Sequence, residues 1–498
     1  MTTTVSSSTQ SELGSESRML IDGALVESSA GTGFDNINPA TEEVIGQTTD
    51  ATAADMDRAI AAARRAFDET GWSTDRAFRQ RCLRQLHEAI VGERELFRSE
   101  LVAEVGTPVM VTTMAQLDAP LEDGLLWPAE QIDHFQWERP LPDNNAFGQP
   151  SWMKVVKEPV GVVGAILPWN YPFEIIIAKL GQALATGNTM VIKPAPDTPW
   201  SATRIGRLIA EGTDIPAGVV NIVPSSDPLI GEQLVTDPRV DMISFTGSTA
   251  TGRRIMAAGA PTLKRLFLEL GGKSADIILE DGDVATKMAF LGFGGCIHAG
   301  QGCAMLTRTL IHQSRYEEAV ELAKVAMEGV TYGDPTDPGV IQGPQVSAKQ
   351  RDRVMGYIDK GVAEGARLVT GGHRPAHLPK GYFVEPTLFA DVDNSMTIAQ
   401  EEIFGPVMVL IPFKDEEDAI HIANDSQYGL SGGVTSASEE RALAVASKIR
   451  AGTVGVNGGI YYSPMSPFGG YKASGIGRQN GIEGFEQYLE TKTIAVGK

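Results

Sequence analysis

Cysteine is nearly absent from this chain: Cys82, Cys296 and Cys303 are the only three among 498 residues. Three thiols make no disulfide framework and point to a reducing compartment. Basic charge is also short. Forty-two Lys and Arg against 63 Asp and Glu leave a formal net charge of -21. A surface so acidic repels phosphate backbones and anionic lipid, which argues against nucleic-acid and membrane partners. No stretch approaches the ~20 consecutive apolar residues that a spanning helix needs. The opening MTTTVSSSTQSELGSES has neither a basic start nor an apolar core. Its first ~16 residues read as a disordered tail, not a signal peptide, and the protein as cytoplasmic.

Several familiar motifs are missing as well. There is no G-x-S-x-G elbow of a serine hydrolase. No G-x-G-x-x-G follows a strand, so the usual dinucleotide fingerprint is absent. GGKS at 271–274 imitates the end of a phosphate loop, but the glycine that motif needs at 267 is Phe267. Cys296, His298 and Cys303 fall short of the ~four spaced ligands zinc prefers, so no metal site is expected.

What remains is a long, glycine-rich, soluble-type composition. A chain of 498 residues exceeds one core and implies two or three domains. RMLIDGALVES reads as a hairpin with a Gly turn. ADMDRAIAAARRAFDE has helical periodicity with Asp55 as its cap, and residues 76–136 are mostly helical. The Pro/Asn/Gly-rich stretch 138–151 is a linker or a projecting hairpin. From VGVVGAIL to RLFLELGG, five apolar strands alternate with helices, which indicates a parallel sheet covered on both faces. A second α/β series spans about 275–470, with strands near SADIIL, TRTLIHQ, FVEPTLFA, VMVLIPF, GGVTSA and GTVGVN. YLETKTIAV reads as a terminal strand.

Four short stretches carry chemistry. In SFTGSTATG (244–252) a strand runs through Thr-Gly-Ser into a helix, whose N-terminus suits a pyrophosphate or simply carries a Ser/Thr cap. In ILPWNYP (166–172) Asn170 follows a buried strand, where it can donate to an oxyanion or sit in a Pro-braced turn. In FLELGGKS Glu269 ends a strand in apolar surroundings. It is a base of raised pKa or a salt-bridged structural residue. In HAGQGCAM (298–305) Gly300 and Gly302 leave the backbone open around Cys303, a nucleophile or an inert small hydrophobe.

These stretches occur in one order with EEIFGPV (401–407) and PFGGYKASGIGR (467–478), and the chain from NINPATEEVIG to YLETKTIAV thereby resembles the aldehyde dehydrogenase superfamily. The resemblance implies a cysteine nucleophile at Cys303, a general base at Glu269, an oxyanion donor at Asn170 and a proton-relay lysine at Lys179. It implies cofactor contacts at Ile166, Trp169, Lys193, Gly231, Gly247, Ser248, Leu270, Glu402 and Phe404, and a loop contact near Asn457. The cofactor is NAD, with NADP possible, because Pro196 and then Asp197 stand where many NAD-preferring members carry glutamate. The implied reaction is oxidation of an aldehyde to a free acid through a thiohemiacetal and a thioester. Glu269 argues against the alternative, a CoA-acylating semialdehyde dehydrogenase, since those members generally lack it. The set Cys303, Glu269 and Asn170 argues against a catalytically silent structural homologue.

The implied architecture is α/β. A Rossmann-like cofactor domain takes 1–137 and 160–271, and an α/β catalytic domain takes 272–470. A small β oligomerisation arm takes 138–159 and 471–498 and builds a homodimer or homotetramer. Small residues at Ala178, Gly302 and Ala304 suggest a roomy apolar tunnel for medium or bulky aldehydes. No acidic or aromatic cage for a quaternary ammonium is assignable.

Overall fold

The computed structural model describes residues 13–498. The expected tail lies outside the described residues as far as residue 12. Residues 13–16 are held: Arg204 donates to the carbonyls of Leu13 and Gly14, and Thr203 donates to that of Glu16.

Two sheets organise the molecule. The first has eight strands, in the order Gly475–Ile476, Arg265–Glu269, Met242–Thr246, Val162–Ile166, Thr189–Lys193, Val220–Ile222, Met19–Ile21 and Ala24–Val26. The five apolar strands expected between 162 and 269 are its parallel centre, and the Met19–Val26 hairpin closes one edge antiparallel. Chain order reverses between Val162–Ile166 and Met242–Thr246. Such a switch point opens a crevice at the carboxyl ends of the strands. Apolar clusters lie on both faces, one under helices Arg76–Gly92, Pro172–Ala185 and Trp200–Gly212, the other under Ala53–Glu69 and Pro228–Thr236.

The second sheet has seven strands: Arg367–Thr370, Thr387–Ala390, Val407–Phe413, Arg308–His312, Ala275–Ile278, Ser431–Thr435 and Thr453–Val456. All are parallel except Arg367–Thr370. That strand was not expected, because ARLVT is too short and too exposed to stand out in the sequence. A third sheet joins Glu138–Asn144, Ser151–Pro159 and Leu489–Gly497 antiparallel, so the 138–151 stretch is a projecting hairpin and not a linker. Of the C-terminal stretch, Gly475–Ile476 edges the first sheet instead.

The cap of helix Ala53–Glu69 is Thr52, not Asp55. Thr52 accepts from the Asp55 N–H, and the Asp55 carboxylate accepts in return from the Thr52 N–H, a reciprocal capping box. Among the described residues no helix is long and apolar enough to cross a membrane.

Candidate active site

The turn before Cys303 is wound against its preferred hand. His298, Ala299 and Gly300 have φ of 51°, 55° and 71°. Buried contacts enforce this. His298 donates through Nε2 to the Asn170 carbonyl at 2.9 Å, and Gln345 donates to the Ala299 carbonyl at 2.8 Å. A Cβ at Gly300 would collide with the Gly405 carbonyl. Gly300 therefore permits a close backbone approach; it does not leave Cys303 open. Gly272 lies equally tight, its Cβ position 2.6 Å from the Cys303 carbonyl. Cys82 and Cys296 are buried, whereas Cys303 is partly accessible. Burial, then the carboxylates of Glu269, Glu402 and Glu174, push the Cys303 thiol well above its ordinary pKa.

Cys303 and Glu269 line one cavity of about 380 Å³. Glu269 ends its strand between Thr246 and Gly475. Its carboxyl oxygens are both buried and neither has a hydrogen-bond partner, so the salt-bridged structural reading fails. Burial drives its pKa up to about 8 against the pull of Lys179 and Arg478. Lys179 sits behind it on helix Pro172–Ala185. It donates to the Ser244 hydroxyl at 2.9 Å and lies 4.6 Å from the centre of the Phe267 ring. Burial lowers it to about 7, with Glu269 and Glu174 opposing. Asn170 donates one amide proton to the Gln301 carbonyl at 2.9 Å, two residues before Cys303. The second remains. The backbone carbonyl of Asn170 accepts from His298 and, at 2.7 Å, from Gln116.

Six of the nine expected cofactor residues, Ile166, Trp169, Lys193, Gly231, Gly247 and Ser248, line a separate cleft of about 430 Å³ at the switch point. Helix Thr249–Gly259 opens onto it. Ser248 caps that helix by accepting from Thr251, and the other first-turn N–H groups have no helical acceptor by position. Lys193 is buried, bonds the Ser225 carbonyl at 2.9 Å, and is lowered by burial to about 8. A helix start on one wall and a buried cation on another fit a dinucleotide's phosphates and ribose. Phe404 meets the Trp169 ring edge-on at 5.3 Å. Glu402 accepts from the Gly272 N–H at 2.8 Å. Leu270 packs on Gly252 and is not part of the cleft wall. Thr246 borders both cavities, and Gly247 donates to the Glu269 carbonyl at 3.0 Å.

The tunnel differs from the sequence reading. Ala178 and Gly302 do not line it; Ala115, Ala304 and Gly459 do. Asn457 accepts from the Ser436 N–H, and it is the following 459–462 segment that reaches the cavity. Glu174, Tyr461, Tyr462 and Phe468 were missed. The Tyr doublet in GIYYS and the lone charge in FEIIIA were the signals available. Among the described residues no group of three or more His, Cys, Asp or Glu side chains is disposed to hold a metal.

The family model described as "Aldehyde dehydrogenase family" matches residues 25–494. A Pseudomonas 3-succinoylsemialdehyde-pyridine dehydrogenase is 42% identical over 95% of this chain and 97% of its own. A Mycobacterium tuberculosis aldehyde dehydrogenase solved with NAD+ is 42% identical, with TM-score 0.92 over 96% of this chain and 98% of that one. A mutant of Pseudomonas syringae aldehyde dehydrogenase C, solved with NAD+ and octanal, is 37% identical, with TM-score 0.91 over 97% of each chain.

Proposed function

The chain belongs to the aldehyde dehydrogenase family, and on that footing we propose that it oxidises an aldehyde to a free carboxylic acid with NAD, carrying the acyl group on Cys303. The observation that carries this reading is the shared wall: Cys303 and Glu269 face one cavity, and Thr246 lines both that cavity and the cofactor cleft.

Burial and the nearby carboxylates hold the Cys303 thiol well above its ordinary pKa, so a base must take its proton before it attacks the carbonyl carbon. Glu269, held at about 8 and free of partners, is suited to that and, later, to drawing a proton from water. The carbonyl π electrons move onto oxygen as sulfur attacks. The second Asn170 amide proton and the Cys303 N–H stabilise that oxyanion; a donor of this kind contributes on the order of 3 kcal/mol. NAD, when bound, accepts the hydride. Water activated by Glu269 then releases the acid and returns the thiol. Lys179, lowered by burial to about 7, acts on Glu269 through its charge without bonding it, and is the residue we assign to the proton relay.

Lys193, Gly247 and Ser248 would hold the dinucleotide, with Trp169, Glu402 and Phe404 toward its nicotinamide end. Asp197 at the cleft wall supports NAD over NADP, since its charge repels a 2′-phosphate. The aromatic and aliphatic cavity wall supports substrates of medium or bulky apolar body, as does the octanal bound by the P. syringae relative. The three-stranded sheet, with Leu489–Gly497 as an exposed edge, supports pairing between copies into a homodimer or homotetramer. The division at 1–137 with 160–271, 272–470 and 138–159 with 471–498 follows the same reading, except that Gly475–Ile476 goes with the first sheet. Three free cysteines support a cytoplasmic setting.

Initial rates across straight-chain and aromatic aldehydes, with NAD and with NADP, test this. The expected result is acid formation that needs no coenzyme A and favours chains longer than acetaldehyde. A sharp optimum at two carbons, or a strict coenzyme A requirement, rejects it.

A further inference from the structure

One charge in the substrate cavity is not used by the chemistry above. Glu174 lies in the first turn of helix Pro172–Ala185, within an otherwise apolar run, and faces the cavity that holds Cys303. The Tyr462 hydroxyl donates to its Oε1, and it has no other hydrogen bond and no ion pair among the described residues. No lysine or arginine lines that cavity, and its acids are Glu174 and Glu269. The rings of Tyr171, Tyr461, Tyr462 and Phe468 complete the wall.

An unpaired carboxylate beside an apolar substrate is costly, because binding strips its water and returns nothing. Burial already holds Glu174 up at about 7, against the Tyr462 hydrogen bond and Lys179. A cation in the cavity reverses that balance. It pairs with the carboxylate through an N–H bond and gains from the aromatic faces. Given the aldehyde oxidation proposed above, on which this rests, we propose that Glu174 recognises a protonated amine at the end of the substrate remote from its carbonyl. The substrate class is an ω-aminoaldehyde whose apolar chain spans the cavity between Glu174 and Cys303.

The rival role is structural: Glu174 merely ties the 459–468 loop to the helix through Tyr462. Glu174→Gln separates the two, since glutamine still accepts from the tyrosine but carries no charge. The measurement is the ratio of kcat/KM for 6-aminohexanal to that for its isostere heptanal. A charge-assisted hydrogen bond predicts a wild-type ratio of about ten or more, carried by KM, and a ratio near one in Glu174→Gln. A wild-type ratio of one or below overturns the proposal, as does an undiminished ratio in the variant. Wild-type enzyme alone supplies a second check with 6-hydroxyhexanal: the neutral hydroxyl should show no advantage over heptanal, and an advantage equal to the amine's overturns the cation. Heptanal oxidised with no benefit from the amine removes this inference only. Failure to reduce NAD with any aldehyde takes the oxidation reading down with it.

Discussion

The cleft at the switch point takes its wall from three strand ends and the two helices Pro228–Thr236 and Thr249–Gly259. The cavity holding Cys303 is gathered from segments near 115, 171–175, 246, 269, 303, 459–468 and 479–480. The first is a property of one sheet: once parallel strands lie in switched order, a crevice with helix N-termini follows. The second exists only after both sheets and the terminal loops have docked. Local folding rules therefore govern who binds at the cleft, and tertiary packing governs which aldehyde enters. Two strand ends border both cavities: Thr246 lines each of them, and the chain from Ile166 to Ile175 passes from one to the other.

Substitutions can break or sharpen that division. The largest effect is expected for Cys303→Ala, which should lower aldehyde oxidation by about 10⁴-fold or more while leaving NAD affinity within about twofold. Initial rates and a fluorescence titration of the cofactor check this; retained turnover removes the sulfur from the reaction. Glu269→Gln comes next, with steady-state rate down about 10²–10³-fold and a rapid burst of NADH before it. Its pH dependence has a definite sign. In the proposed reaction Glu269 would act as the carboxylate, and burial holds its pKa at about 8, so the wild-type rate should climb as pH rises through 8. That limb should vanish in the variant. Asn170→Ala should cost about 10²-fold, mainly in kcat. If stopped-flow shows it weakening NAD instead, the two cavities are not separable. Smallest is Asp197→Asn, which should raise the NADP-to-NAD ratio of kcat/KM about fivefold without changing the aldehyde preference.

The same division explains what could be read in advance. The strands of the parallel centre, the cap at Ser248 and the helix of Lys179 depend on neighbours a few residues away, and their sequences announce them. Family resemblance, not spacing, supplied Cys303, Glu269 and Asn170 as a set. What bonds Asn170 was hidden, because Gln116, Gln301 and His298 reach it from distant parts of the chain. Gly300 invited the reading of an open backbone, whereas its space is filled by Gly405, a contact more than a hundred residues away. Ala178 pointed to width in a place the cavity does not occupy. Glu174 was visible as one acid among isoleucines, but only the docked Tyr462 loop shows which way it faces.

The left-handed turn at 298–300 has a consequence for tolerance of substitution. Such backbone at a non-glycine residue costs about 1 kcal/mol or more, and His298 and Ala299 both carry it. The turn stays wound only while Asn170, Gln345 and Gly405 hold it. A substitution that frees one of those contacts is expected to lower turnover while both sheets stay folded. A screen scored by turnover would then collect changes around this turn, and one scored by unfolding would collect them elsewhere.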